Sequence, residues 1–405
     1  MELRPYQERI ASDAVRILKE KHIVYLAMEV RTGKTLTALD TARQYGAKRV
    51  LFLTKKKAIS SIQSDFEKFG FDFDLLVVND ESMHKIEFSP DLVIHDEHHR
   101  FGAYPKPGKY TKMFKERFGH LPMIFLSGTP SPESYSQLYH QFWVSRFHPF
   151  KQWQSFYKWA NNFVNKKERH LGHGKVTDYS DANKELIDKF ISPYMITFTQ
   201  AEAGFNTEVK ETILTVPMES RTYELIDRLK KDLVIEGNDE VILADTGVKL
   251  MQKCHQLYSG TVKFESGNSM VLDYSKAKFI YNKFKDKKIA IFYKFTAELK
   301  MLQNVFYDLT QDIDEFNSDP NKWIALQIVS GREGVNLSAA DYLVYLNIDF
   351  SAVSYWQSRD RLTTMQRKSN DVFWIFSENG IESKIYKAVM NKKDYTLKHF
   401  KREEL

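Results

Sequence analysis

Arg31-Thr32-Gly33-Lys34-Thr35 and, further along, Asp96-Glu97-His98-His99 are the two stretches from which the fold follows. Each comes just after an apolar run, Ile23-Val24-Tyr25-Leu26-Ala27 before the first and Leu92-Val93-Ile94 before the second. A strand that turns tightly into a helix leaves backbone N–H groups aimed at a phosphate. At such a turn Gly33 allows close backbone approach, Lys34 brings a point charge to the β- and γ-phosphates, and the Thr35 hydroxyl is placed to ligate Mg2+. Arg31 and Thr32 belong to the same loop. Asp96 reads as the carboxylate that holds the metal, and Glu97 as the group that polarises an attacking water. Met28 stands where the G-x-x-x-x-G-K-[ST] pattern has its first glycine. The two motifs together predict nucleotide hydrolysis, with ATP and Mg2+ as the groups bound.

Outward from these motifs, residues 1–145 alternate short apolar runs with helical patterns, the rhythm of a parallel sheet flanked by helices. Strands are expected at 23–27, 50–54, 75–78, 92–95 and 123–127, with helices at 35–45 and 59–69. Residues 146–244 lose that rhythm and are rich in Trp, Phe, Tyr, Lys and Asn. They predict a mostly helical insertion with a mobile part near 170–174. The aromatic run Phe142, Trp143, Trp153, Phe156, Tyr157 and Trp159 reads as core rather than as a base-stacking platform. From 245 to 405 the α/β rhythm returns, with strands expected at 289–293, 323–329, 342–346 and 372–376 and helices at 296–306, 355–365 and 381–391.

Composition bounds the class. The 405 residues suffice for two or three domains, and 42% hydrophobic with 28% charged describes a globular chain. No apolar run approaches the roughly 18 residues of a membrane span. Met1-Glu2-Leu3-Arg4-Pro5 has no signal-peptide character, and Cys254 is the only cysteine. These point away from a membrane, from a disulfide framework and from multi-cysteine zinc sites, and toward the cytoplasm. The formal charge is +6, with basic clusters at Lys55-Lys56-Lys57, at 106–115, 166–169 and 283–288, and near the C-terminus. Several such clusters on a nucleotide motor favour a polyanionic track.

The order of further segments then resembles the Snf-type DNA translocases of helicase superfamily 2, over roughly residues 3–392. Leu3-Arg4-Pro5-Tyr6-Gln7 resembles the family's adenine-reading opening, which implies nucleotide contacts by Tyr6 and Gln7. The strand ending in Thr54 and Lys55, with Lys56 after it, resembles the lead into a first-lobe DNA contact. Ser127-Gly128-Thr129-Pro130 is similar to the coupling motif, implying coupling roles for His99, Ser127 and Thr129. In the second half, 330–337 resembles the glycine-rich motif, with Arg332 and Asn336 as implied DNA contacts. Gln357-Ser358-Arg359-Asp360-Arg361 resembles the arginine motif, with Gln357 in coupling and Arg361 in catalysis. Three departures stand out: Arg332 replaces a glycine, His98 replaces a common alanine with a mild effect expected, and Thr364 occupies the second arginine position. Arg359 or Arg367 could substitute there.

The resemblance implies two RecA-like lobes, at 1–145 and 245–405, with ATP in the cleft between them. It implies a compact, monomeric, ATP-dependent translocase on duplex DNA, of prokaryotic or phage type. The rival readings are a strand-separating or branch-migrating helicase with the same engine, and a catalytically weak, ATP-gated DNA-binding module. No reader domain or nuclease motif accompanies the motor, so a protein partner such as a nuclease or replication factor would supply specificity.

Overall fold

The computed structural model describes residues 2–171, 174–205, 208–237, 239–331, 337–359 and 369–391. The chain divides into two compact units, Met1–Gly204 and Phe205–Leu405.

The first unit opens with α1 (Pro5–Lys21), started by Pro5 at its first position, where the missing N–H is no loss. Ile10, Ala11, Ala14, Val15 and Leu18 recur at helical spacing and are buried. The chain continues through β1 (Ile23–Met28), α2 (Lys34–Tyr45), β2 (Arg49–Thr54), α3 (Ile59–Phe69), β3 (Asp74–Asn79), β4 (Leu92–His95), α4 (Lys109–Phe118), β5 (Met123–Leu126) and α5 (Leu138–Trp143). Next come α6 (Phe156–Phe163), a hairpin of β6 (Lys167–Leu171) and β7 (Gly174–Asp178), α7 (Lys184–Ile191) and β8 (Met195–Phe198). Six strands form one sheet in the order β3-β2-β4-β5-β1-β8, every neighbour pair parallel. A parallel sheet covered by helices buries both faces, which is why β1, β2, β4 and β5 are near-continuous apolar runs.

The second unit contains β9 (Glu208–Val216), α8 (Ser220–Asp232), the hairpin β10 (Val234–Glu236) and β11 (Val241–Leu243), α9 (Gly247–Tyr258), and the hairpin β12 (Thr261–Lys263) and β13 (Ser269–Val271). Then follow α10 (Ser275–Phe284), β14 (Ile289–Tyr293), α11 (Thr296–Gln303), β15 (Leu309–Thr310), α12 (Ile313–Ser318), β16 (Trp323–Gln327), α13 (Ile328–Gly331), β17 (Tyr342–Tyr345), α14 (Ala352–Arg359), β18 (Ser369–Ser377) and α15 (Glu382–Met390). Its sheet is also six-stranded, in the order β15-β16-β14-β17-β18-β9, and wholly parallel. The α/β class expected from sequence, parallel sheets flanked by helices in both halves, is therefore the fold observed.

The stretch 146–244 is shared between the units rather than standing as a mostly helical body. α6, α7 and α8 are helical as expected, but β8 completes the first sheet and β9 pairs along all of β18 in the second. Of the segment expected to be mobile, His170, Leu171 and Gly174 belong to the β6–β7 hairpin, and Gly172 and His173 lie outside the described residues. Of the aromatic run, Phe142, Phe156 and Trp159 are buried in one core with Trp143 and Trp153 packed against it, while Tyr157 is 46% exposed. Among the described residues no helix is long and apolar enough to cross a membrane.

Candidate nucleotide site

In open parallel sheets ligands bind beyond the carboxyl ends of the strands. In the first unit β2, β4, β5 and β1 lie side by side, so the residues just past their ends meet at one edge. These are Thr54 and Lys55, Asp96 and Glu97, Ser127 to Thr129, and the loop 29–33. The sequence motifs are thus brought together by topology.

In the loop between β1 and α2 four carbonyls are held by hydrogen bonds. The Glu29 carbonyl accepts from the Thr32 hydroxyl at 2.7 Å and from Lys34 Nζ at 3.2 Å. The Val30 carbonyl accepts from Gln200 Nε2 at 2.9 Å. The Thr32 carbonyl accepts from the Tyr6 hydroxyl at 3.1 Å, and the Gly33 carbonyl from Gln7 Nε2 at 3.2 Å. A peptide whose C=O is fixed on one side presents its N–H to the other. Gly33 caps α2 at φ 80°, and a Cβ there would overlap the Gln7 carboxamide, so both conformation and space demand glycine. Arg31 also adopts a left-handed φ of 63°, costing about 1–2 kcal/mol in a non-glycine residue. The start of a helix presents N–H groups that take part in no intrahelical bond, and an anion fits such a place.

Tyr6 and Gln7 are placed beside the loop, with Tyr6 stacked on Phe198 at 4.8 Å between ring centres. Gln7 is almost fully buried, and its carboxamide oxygen accepts from the Arg4 N–H at 2.9 Å. Its first task is therefore to hold Gly33.

At the end of β4 the Thr54 hydroxyl donates to Asp96 Oδ2 at 2.9 Å, and the Asp96 N–H donates to the Leu53 carbonyl at 2.8 Å. Thr54, expected to touch nucleic acid, is buried; with its hydroxyl committed to Asp96 it belongs to the acidic site instead. Lys55 is half-buried and Lys56 exposed. Burial, together with the Glu97 carboxylate beside it, pushes the Asp96 carboxyl above its usual range, with Lys34 acting against the shift. Burial would also raise Glu97, but the His99 hydrogen bond, His99 itself, Lys34 and Lys55 outweigh it and hold Glu97 below the usual carboxylate range. Glu97 sits at φ 48°, a conformation that sets its carboxylate 3.2 Å from His99 Nδ1.

His99 Nδ1 also lies 3.0 Å from Ser127 Oγ, which accepts from the Thr129 N–H at 3.1 Å. The Thr129 hydroxyl is buried and bonded to nothing among the described residues. Gly128 passes close to the loop: a Cβ there would stand 3.5 Å from Lys34 Nζ and from the Val30 nitrogen. His99, Ser127 and Thr129 thus connect the acidic motif to the loop's surroundings.

No group of three or more His, Cys, Asp or Glu side chains suitable for a metal occurs among the described residues. The oxygen donors Thr35 and Asp96 nevertheless fit Mg2+, which keeps several waters and takes substrate phosphates rather than an all-protein cage. The crowding of Asp96 against Glu97 is what a nearby cation would relieve.

A buried chain of polar groups behind the acidic motif was not legible in the sequence. Asp80 Oδ1 lies 3.1 Å from His95 Nε2, His95 Nδ1 lies 2.6 Å from His98 Nδ1, and His98 Nε2 lies 2.8 Å from the Gln141 carbonyl. His98 stacks on Phe125 at 3.7 Å with ring planes 5° apart, and burial holds its imidazole well below the usual range. It is a packed member of the core. Gln141 Oε1 accepts from the Tyr25 hydroxyl at 2.7 Å, and its Nε2 donates to the Pro130 carbonyl at 2.7 Å. Gln141→Leu should strand both partners in the core and cost about 1–3 kcal/mol, read as a lowered urea midpoint.

In the second unit Glu211 on β9 gathers Tyr355 of α14, Trp374 of β18 and Tyr386 of α15. Their donors lie 2.8–3.0 Å from its carboxylate. It ties β9 to α14, β18 and α15, and no sequence motif marks it. Arg332, Asn336, Arg361, Thr364 and Arg367 lie outside the described residues, as do the side chains of Gln357 and Arg359.

Residues 1–73 match the protein family described as type III restriction enzyme, res subunit. No curated protein matches the chain. Among solved structures the chain is similar to the SWI2/SNF2 ATPase core of Sulfolobus solfataricus in complex with dsDNA, at 17% identity and a TM-score of 0.44. That similarity spans 96% of this chain and 91% of the other, and at that level it carries no argument for activity or substrate.

Proposed function

We propose that this chain is an ATP-dependent nucleic-acid motor whose track is duplex DNA. The observation that carries the reading is the loop 29–33, four of its carbonyls held by hydrogen bonds, at the same sheet edge as Asp96 and Glu97. Supporting it are the family match over 1–73, which includes that loop, and the resemblance of the later motifs to Snf-type translocases.

In this reading the loop amides and Lys34 hold the β- and γ-phosphates, and Tyr6 and Gln7 border the base. Thr35 and Asp96 would hold Mg2+, which when bound neutralises phosphate charge. Glu97, kept ionised by His99 and the nearby lysines, accepts a proton from the attacking water. His99 and Ser127 pass a change at Glu97 to the Gly128–Thr129 backbone. Arg361 supplies charge to the γ-phosphate, with Arg359 or Arg367 standing in where Thr364 replaces the second arginine. Lys55, Lys56, Arg332 and Asn336 contact the nucleic-acid backbone. The protein is a monomer acting in the cytoplasm, and a partner such as a nuclease or replication factor directs it.

Steady-state ATP hydrolysis without nucleic acid, then with duplex DNA, single-stranded DNA and RNA, tests this. Duplex DNA should stimulate turnover most, and stimulation should fall steeply as salt rises, because phosphate contacts release counterions. Stimulation mainly by single strands or RNA would replace it with the strand-separating reading. One feature favours that second reading: the β6–β7 hairpin pairs with no other strand among the described residues, and it carries Lys167 and Lys175 with side chains 63% and 65% exposed.

A further inference from the structure

Gln200 reaches the phosphate loop from the far end of the first unit. Its backbone N–H donates to Glu29 Oε2 at 2.7 Å, and its Nε2 donates to the Val30 carbonyl at 2.9 Å. It lies two residues beyond β8, in the last stretch of the first unit before the chain passes to β9 of the second. Resting on the nucleotide-site reading, we infer that Gln200 is a positioning residue for the phosphate loop, through which the connecting stretch 199–204 registers nucleotide binding.

The loop needs such a brace. Between Met28 and Thr32 it has no glycine, and Arg31 is held in a left-handed conformation, which persists only where surrounding contacts impose it. On the α1 side Tyr6 and Gln7 fix the Thr32 and Gly33 carbonyls. On the opposite flank β8 runs parallel to β1, with Phe198 beside Met28. The Glu29 N–H continues this pairing to the Phe198 carbonyl at 2.9 Å. Gln200 then takes the Val30 carbonyl.

The brace is itself fixed. Thr199 donates through its N–H and its hydroxyl to Glu202 Oε2, each at 2.7 Å. The Ala203 N–H returns to the Thr199 carbonyl at 3.2 Å, and the Gly204 N–H to Ala201 at 3.0 Å. A stapled turn moves as a body, so a shift of Glu29 or Val30 is felt across 199–204. Lys34 Nζ rests on the Glu29 carbonyl. When it turns to a phosphate, Glu29 loses that contact while its carboxylate still holds the Gln200 N–H.

The test uses the full chain and hydrogen–deuterium exchange with and without a non-hydrolysable ATP analogue and Mg2+, with analogue affinity measured separately by fluorescence. In the wild type, peptides over both 29–36 and 199–204 should slow their exchange when the analogue binds. Gln200→Met, equal in length but without the donor, should bind about two- to tenfold more weakly, as expected for one net hydrogen bond. At saturating analogue it should keep the response at 29–36 and show a clearly weaker one at 199–204, because the Gln200 N–H still holds Glu29 Oε2. Gln200→Leu also lacks the donor and adds no charge, so it should behave alike; it carries the test if the methionine variant folds poorly. Wild-type affinity and response in either folded variant would overturn the inference, as would a wild type that responds at 29–36 alone. A wild type that binds no analogue would overturn the nucleotide-site reading and this inference with it.

Discussion

Lys34→Ala is expected to abolish ATP turnover, lowering kcat by about a thousandfold or more, the scale seen when a charge on a transferring phosphoryl group is removed. The geometry gives the change two separate costs. Lys34 opens α2 and lies against Gly128, where its ammonium can meet the phosphates. It also acts on both acidic residues, counteracting the rise at Asp96 and helping to hold Glu97 low. Glu97→Gln isolates the second effect. It leaves the loop and Lys34 in place, so ATP should still bind, while hydrolysis falls by about 10²–10⁴-fold for want of a base. Phosphate release and analogue binding, measured side by side, check both. DNA-stimulated hydrolysis that persists in Lys34→Ala would remove the site from 29–35 altogether.

The contrast between these residues and those around them shows what the sequence could reveal. β1, β2, β4 and β5 were legible because a strand buried on both faces must be apolar throughout, and turn residues bracket it. That Lys34, Asp96 and Glu97 would stand at turns just past buried strands was legible because each follows an apolar run. Gln200, Gln141 and Glu211 were not. Each acts through contacts with residues more than 100 positions away, or on a backbone carbonyl, and neither leaves a local pattern. β9 was missed for another reason. As an edge strand reading Glu-Val-Lys-Glu-Thr-Ile-Leu-Thr-Val it is half-exposed, and its charged residues disguise a nine-residue pairing. Thr54 was read as a nucleic-acid contact from the resemblance of its strand, and a resemblance does not show that its side chain is buried with the hydroxyl on the carboxylate of the next strand.

Glu382→Ala should destabilise the second unit by about 3–5 kcal/mol, the cost of leaving a buried charge without its partner. Lys276 of α10 and Glu382 at the start of α15 are both fully buried, with Nζ and Oε1 2.6 Å apart. The carboxylate also accepts from the Ser377 hydroxyl at 3.0 Å, and its place at the start of a helix suits a negative charge. Gly380 makes room for it, since a Cβ there would overlap the Glu382 carboxylate. Removing Glu382 leaves the buried ammonium the Leu346 carbonyl at 3.5 Å and takes away its carboxylate. Urea unfolding of the variant should show a markedly lower midpoint. Lys276→Met combined with Glu382→Leu should recover most of the loss, because apolar replacement of both partners ends the desolvation cost. A single variant within about 1 kcal/mol of wild type would mean that Lys276 regains water. A double variant as unstable as the single would assign the stability to the Ser377 contacts rather than to the ion pair.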